Sequence, residues 1–588
     1  MVAFSLSHPT ATISRGIENL EIYGQNSNFF IKGACGVIAR AVSLTVFPVF
    51  LTLELLFKRI PKMLTSIGTD QYSKKADKAL KYFLAIIPSI VLGAYSPTGV
   101  TGFFLKRRKS DVEIRPFGVE KNFGAKLRFP IEYPRTIESV QSIVKDAKAK
   151  GEQISIIGAG MSQGTQTVPN TVDKARVIHT KNLKGVRLDS SENTVTVGAG
   201  ATWEEIQLEL DKNNKSAIVK QASDIFSVGG SIGINCHGWA HEYGSISKTV
   251  RQLKVIDAEG NLRILTPPRE NVPLDELTDD EKLFKCMFGT MGYFGVVVEA
   301  TLDIVDNEML KESTEEVDLD EFFANYNTHV KNKDVPLFGG RLVLDTLEGW
   351  PLRKICMVSY RKIKQNSQST QQHAADHKIV AEPKYGTRFA RIGLKLISDL
   401  PNFIVKRIIS LFWKREVRSM FSGTVMTRNE ALHPPINAFN MAHQSDLQAE
   451  WLQEYFIEKE RLPNFLRHLG VVLGSNDVKL INATIRPTPK DDISILPYAE
   501  KDRFAVVICF SQKKTKTEIE KTKKWISHIN SYLEAENGVF YQAYMPYATK
   551  QQFEKCYGKE RIEEMRRLKQ HFDPENRFGN AHAAKYYD

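Results

Sequence analysis

A chain of 588 residues exceeds the ~100 to 200 residues of an ordinary domain, so two or three compact units are expected, and 42% hydrophobic content suits globular cores. The net charge of +12 comes with no nucleic-acid recognition motif, and the basic residues gather beside apolar stretches. This excludes nucleic acid as a partner and favours an anionic membrane surface. Six cysteines (Cys35, Cys236, Cys286, Cys356, Cys509 and Cys556) lie far apart without a C-x-x-C pair, which excludes a zinc ribbon or redox dithiol and points to free thiols in a reducing, cytoplasmic compartment.

The first 28 residues are polar and carry acids, unlike a secretory signal. Within the extension 1–115, two apolar helical segments follow. The run Phe29–Phe57 is cut by Lys32, Arg40, Pro48 and Glu54 and leaves 13 uncharged residues between Arg40 and Glu54, where a span needs ~20. The second, Tyr82–Leu105, is uncharged for 24 residues but holds Pro88, Pro97 and three glycines. Lysines and arginines cluster at both exits, at 58–62 and 106–109. Two readings remain open here: an interfacial or hairpin membrane association, and a helical hairpin packed on the protein.

Thr136 opens a helix whose apolar face is Ile137, Val140, Ile143, Val144 and Ala147, and Gly151 ends it. Short strands follow at Gln153–Ile157, Val177–Ile178, Gly185–Leu188 and Thr194–Val197, then a helix at Trp203–Asn213. The fold class expected is α+β, with a first unit over 120–305, a second, cap-like α+β unit over 306–545, and a closing segment over 546–588. The second unit has longer strands, such as Leu337–Leu344 and Ile355–Tyr360. It also holds a run, Arg388–Arg418, with eight basic and two acidic residues, a net +6 on helically spaced apolar positions. That run fits either a surface helix pair or docking to a bilayer.

The chemistry concentrates in glycine-rich turns. Gly158-Ala159-Gly160-Met161-Ser162-Gln163-Gly164 follows a strand and can aim several backbone N–H groups at one anion, which suits a pyrophosphate. It is neither a Rossmann fingerprint nor a P-loop. A second turn, Ser227-Val228-Gly229-Gly230-Ser231-Ile232-Gly233-Ile234-Asn235-Cys236-His237-Gly238, comes some seventy residues later, and a third cluster spans Gly289 to Val296. His237 and His241 stand four apart, with neither a third ligand nor an H-E-x-x-H pattern, so no metal is expected.

The order and spacing of these turns resemble the FAD-binding domain of the vanillyl-alcohol-oxidase (PCMH-type) superfamily. The closing segment, with Phe553, Tyr557 and Asp573-Pro574-Glu575-Asn576-Arg577-Phe578, is similar to that of aldonolactone and alditol oxidases and of decaprenylphosphoryl ribose oxidase. The resemblance implies a two-subdomain cradle for FAD, with residues 158–164, Ser227, Gly229, Gly230, Ser231, Asn235, His237, Val296 and Tyr541 around the cofactor. Met161 stands where several relatives attach FAD through a histidine, so non-covalent FAD is implied. On the substrate side the resemblance points to His237, Gln453, Tyr455, Arg486 and Tyr544. The family acid two residues before Arg486 is Thr484 here, and Tyr544 replaces a lysine.

The function implied is hydride transfer from an alcohol carbon of a sugar, polyol, aldonolactone-like or lipid-linked substrate to flavin N5. Two alternatives stay open: flavin-dependent reduction of a carbon–carbon double bond, as in the sterol reductases of the superfamily, and a membrane-tethered flavoprotein without catalysis.

Overall fold

The computed structural model describes residues 130–170, 174–330, 334–344, 352–363, 423, 425–432, 448–513, 515–545 and 547–588. The apolar runs at 29–57 and 82–105 and the basic run at 388–418 lie outside the described residues. Among the described residues no helix is long and apolar enough to cross a membrane.

Three sheets organise the described residues. The first is parallel: β1 (Ile131–Glu132) and β2 (Gln153–Ile157) flank β3 (Ala175–His179). Helix α1 (Ile137–Lys150) connects them; a Thr136/Ser139 capping box starts it, and Gly151, at φ 63°, ends it in the left-handed region where glycine carries no Cβ penalty. Val140, Val144 and Ala147 form its buried face. The C-terminal segment returns to this layer, since Ile154 pairs in parallel with Phe578 and the Arg577 guanidinium donates to the carbonyls of Ala147 and Glu152.

The second sheet has the path β4 (Val186–Asp189), β5 (Thr194–Gly198), β9 (Val296–Asp306), β7 (Val250–Ile256) and β8 (Leu262–Leu265), with β6 (Lys215–Ala217) also on β9. Helix α2 (Trp203–Lys212) and the single-turn helix α3 (Val228–Gly233) cover it.

The third sheet is antiparallel and eight-stranded. In chain order its strands are β10 (Met309–Asp318), β11 (Leu337–Leu342), β12 (Lys354–Lys362), β13 (Val425–Thr427), β14 (Gln448–Ile457), β15 (Leu480–Thr488), β16 (Arg503–Lys513) and β17 (Val539–Phe540). In space they run β13-β10-β12-β11-β15-β16-β14-β17. Because successive side chains alternate between faces, the register separates two sets. Trp451, Gln453, Tyr455, Ile508 and Phe510 share one face, where Tyr455 meets Phe465 and Phe510 meets Trp525 of the helices Leu462–Ser475 and Lys516–Ala535. Glu454, Phe456, Thr484, Arg486, Arg341 and Glu312 share the other.

That polar face is covered by loops from the second sheet's layer. Trp239 lies against Gly339, where a Cβ would sit 2.5 Å from the indole, and its carbonyl accepts from Phe338 N at 2.9 Å. Two buried cations fasten the short helix Arg428–Leu432 to the same layer: Arg428 donates to the carbonyls of Ala217 and Ile218, and Lys220, paired with Asp224, donates to the carbonyl of Leu432.

At the far end of the polar face, burial pushes the Glu312 carboxyl up to about 7 although it accepts from Tyr360; its Oε2 is buried without a hydrogen bond. Below its ordinary value of 4.5 this group is protonated in both folded and unfolded chains. Between 4.5 and about 7 only the unfolded chain releases the proton, so stability falls across that window as pH rises. Glu312→Gln should therefore raise Tm at pH 8 more than at pH 4, by the equivalent of about 2–3 kcal/mol, in paired thermal melts. Equal shifts at both pH values would contradict the assignment.

Candidate active site

The first glycine turn leaves the end of β2 and crosses to the third sheet. A Cβ on Gly158 would run into Ser227 Oγ, and Gly160 has φ +73°. The Gln163 side chain is bonded to the free edge of β14, donating to the Glu450 carbonyl at 3.1 Å and accepting from Leu452 N at 2.9 Å. Gln166 Nε2 donates to the Ala543 carbonyl at 2.9 Å. Ala159, Met161 and Ser162 are half-buried between these anchors, while Gly160 is exposed. Gln163 thus works through its side chain as a fastener, a role its place in a glycine motif does not reveal.

The second turn abuts the first, with Gly230 N and Cα 3.4 Å from a Cβ built on Gly158. Ser227 Oγ is buried there without a hydrogen bond. Gly229 lies against Ala199, its built Cβ 2.9 Å from that side chain. The Ser231 hydroxyl is already engaged by Trp203 Nε1, Gln221 Oε1 and the Ser227 carbonyl. Asn235 is likewise committed: at φ 49° it donates to Asp491 at 2.8 Å, accepts from Ser247 N, and receives the Tyr498 hydroxyl on its carbonyl. Both residues shape the turn, and their side chains have little left for a ligand. Val296 is fully buried at the start of β9.

Behind these turns the polar face of the third sheet meets the second turn. His237 Nε2 is hydrogen-bonded to Glu454 Oε1 at 2.5 Å, with side chains 5% and 2% exposed. His237 Nδ1 is buried and has no hydrogen-bond partner. Phe456, Tyr498 and Tyr541 surround the imidazole, with ring centroids 5.5, 5.8 and 6.1 Å away. Tyr541 is held by its hydroxyl on the Ile234 carbonyl and its N–H on the Glu454 carbonyl. The Tyr544 hydroxyl donates to Glu454, and burial lifts that phenol well above its ordinary value. Arg486 is buried 5.7 Å from the Trp239 ring, its Nε lacks a hydrogen bond, and burial lowers its pKa against the attraction of Glu454.

Of the residues singled out in the sequence, the structure brings His237, Arg486, Tyr541 and Tyr544 together around Glu454. It does not bring Gln453 and Tyr455 there. Those two alternate onto the helix-covered face, where Gln453 Nε2 and Tyr455 Oη are buried without partners. The sequence reading missed Glu454, one residue out of phase. A signal was present: Trp451, Tyr455 and Ile457 make the apolar face of this strand, which leaves Glu450 and Glu454 on the other.

Comparison with known proteins bears on what these turns hold. Residues 131–266 match the FAD binding domain family, and residues 300–586 match the D-arabinono-1,4-lactone oxidase family. The chain carries a PCMH-type FAD-binding domain followed by a region similar to the aldonolactone oxidases. FAD is its cofactor, as the resemblance of its glycine turns to PCMH-type domains implied. Among similar proteins, the FAD-linked oxidoreductase tazL of Aspergillus terreus is 28% identical over 173 residues, 29% of this chain and 33% of the relative. The L-gulonolactone oxidase of Bos taurus is 23% identical over 202 residues, 34% of this chain and 43% of the relative. The D-arabinono-1,4-lactone oxidase of Debaryomyces hansenii is 25% identical over 206 residues, 33% of this chain and 35% of the relative. The chain thus spans less than half the length of each of these relatives.

The residues present fit a bound dinucleotide. Two glycine turns approach each other closely, and the unpartnered Ser227 hydroxyl lies where they touch. Gly164 matters for a different reason: a Cβ there would stand 2.6 Å from the Tyr544 carbonyl oxygen and against Gln166 Oε1. A main-chain oxygen cannot rotate away. Gly164→Ala is expected to destabilise the protein by about 1–3 kcal/mol and to loosen FAD, because it pushes the 543–544 segment off the first turn. Thermal melts and the flavin retained after gel filtration would measure both effects, and wild-type values for both would refute the close contact.

Proposed function

We propose that this chain is a FAD-dependent oxidoreductase that oxidises an alcohol carbon of an aldonolactone-like substrate, or of a related sugar or polyol. Bound FAD would supply the hydride acceptor at N5. The observation that carries this reading is the buried, charged convergence of His237, Glu454, Arg486 and Tyr544 beside the glycine turns. A water-excluded face with one guanidinium and several hydrogen-bonding groups suits a small, hydroxyl-rich molecule, since each polar contact made there counts for more than in water. The two lactone oxidases among its relatives point the same way.

In this proposal residues 120–305 hold the cofactor, 306–545 form the substrate cap, and 546–588 return to the cofactor side. Arg486 orients substrate oxygens by donating hydrogen bonds, the Tyr544 oxygen accepts one from a substrate hydroxyl while its own proton stays directed to Glu454, and Tyr541 packs beside His237. Met161 offers no nitrogen for a flavin linkage, so the FAD is held without a covalent bond. The substrate is extended to lipid-linked sugars if the apolar and basic segments outside the described residues dock on anionic bilayers.

Acid precipitation of the purified full-length chain should leave all flavin in the supernatant; a yellow pellet would contradict non-covalent binding. Under anaerobic conditions, aldono-1,4-lactones should bleach the flavin, with polyols and phosphosugars as the comparison panel. A flavin that none of these reduces would overturn the proposed reaction. Flotation with liposomes containing phosphatidylserine should carry the chain upward, whereas recovery in the bottom fraction with and without anionic lipid would remove the membrane from the proposal.

A further inference from the structure

Oxidation of an alcohol releases two hydrogens in different forms. The C–H hydrogen leaves with its electron pair, for which bound FAD would be the acceptor, and the O–H hydrogen leaves as a proton as the C=O bond forms. The proton needs an acceptor on the protein. Thr484, on the polar face two residues before Arg486, has a hydroxyl that does not take up a proton at neutral pH. Arg486 is a donor, and the Tyr544 hydroxyl is already turned to Glu454.

We propose that His237 Nδ1 accepts the substrate proton and that Glu454 acts as the positioning residue that prepares it. Three observations support the pair. The Glu454 carboxylate, as an acceptor, takes the Nε2–H of His237 at 2.5 Å and so places the imidazole hydrogen on Nε2. That tautomer leaves Nδ1 with a free lone pair, and Nδ1 is the buried ring nitrogen without a partner. Glu454 is itself held by the Tyr544 hydroxyl and lies within the influence of Arg486, while Phe456, Tyr498 and Tyr541 hem the ring in from other elements. A carboxylate on one ring nitrogen, with the other nitrogen free, is the arrangement by which a histidine is oriented as a base and its charged form stabilised after proton transfer. Here the two partners come from different layers of the fold, so the pair exists only when the sheet and the turn are docked. The assignment rests on the proposed alcohol oxidation.

The test uses the full-length FAD-loaded protein. Glu454→Gln keeps the size and a hydrogen bond to the ring but admits the wrong tautomer. It should retain flavin content and Tm, leave KM for the lactone within about twofold, and slow anaerobic bleaching by roughly 10²- to 10⁴-fold. His237→Asn should cost about as much, and the double variant no more than the worse single one, because the two act as a unit. Reduction by dithionite should be unchanged in all three. Wild-type bleaching by Glu454→Gln, or losses that multiply in the double variant, would overturn the pair. If no alcohol or lactone bleaches the wild type, the proposed reaction fails instead, and the pair is still decided by histidine ¹⁵N NMR. The inference expects a His237 signal of the Nε2–H form that changes in Glu454→Gln, and an unchanged signal refutes it.

Discussion

The hydrogen bond between His237 and Glu454 is the contact that most of the described architecture serves. A carboxylate, an imidazole and a guanidinium taken out of water cost several kcal/mol unless each meets a partner. No single layer supplies those partners. The eight-stranded sheet brings Glu454, Arg486 and Thr484 to one face, and the second glycine turn brings His237 and Trp239 over it. The polar face is stable only because the layers close on it, and the closure is also what makes a dry site.

Several features make sense as fasteners of that closure. Gln163 completes the unpaired edge of β14, and Gln166 and Tyr541 tie the 541–545 segment to both glycine turns. Lys220 and Arg428, each buried and aimed at main-chain carbonyls, anchor the short helix at 428–432. Such cations are expensive to bury, and carbonyl oxygens together with Asp224 offset that cost. Close main-chain approach explains the glycines at 164 and 339, where the Tyr544 carbonyl and the Trp239 ring leave no room for a Cβ.

Much of the first two sheets' layers was legible in the sequence because the signals are local. Helix 137–150 has its cap at Thr136, its apolar face at Val140, Val144 and Ala147, and its stop at Gly151, all within one stretch. Strand 153–157 is bounded by Gly151 and Gly158. The cap strands were legible as strands, though their bounds shifted, with Lys354–Lys362 running longer than the apolar Ile355–Tyr360 because ladder pairing continues past the apolar residues. The short helix at 228–233 was hidden, since three of its six residues are glycine and intrinsic propensity argues against it; a hydrogen bond donated by Trp203 Nε1 and those that Val228 and Gly229 N–H donate to the Ala201 and Ala199 carbonyls hold it.

By itself the sequence pointed to the cofactor class, through glycine turns suited to a pyrophosphate and through the resemblance of their order and spacing to PCMH-type FAD-binding domains. The resemblance also pointed to Gln453, Tyr455, Arg486 and Tyr544 as the substrate side. Only the tertiary structure decided which of them face the cofactor layer. A strand presents both of its faces equally in sequence, and the choice between Gln453 with Tyr455 and Glu454 depended on where the helices Leu462–Ser475 and Lys516–Ala535 settled. Ser231 and Asn235 follow the same rule: their side chains look available in a motif, yet packing had already assigned them to Trp203, Gln221 and Asp491. Period and turn chemistry are properties of neighbours along the chain, whereas the partner of a buried charge is a property of residues hundreds of positions apart.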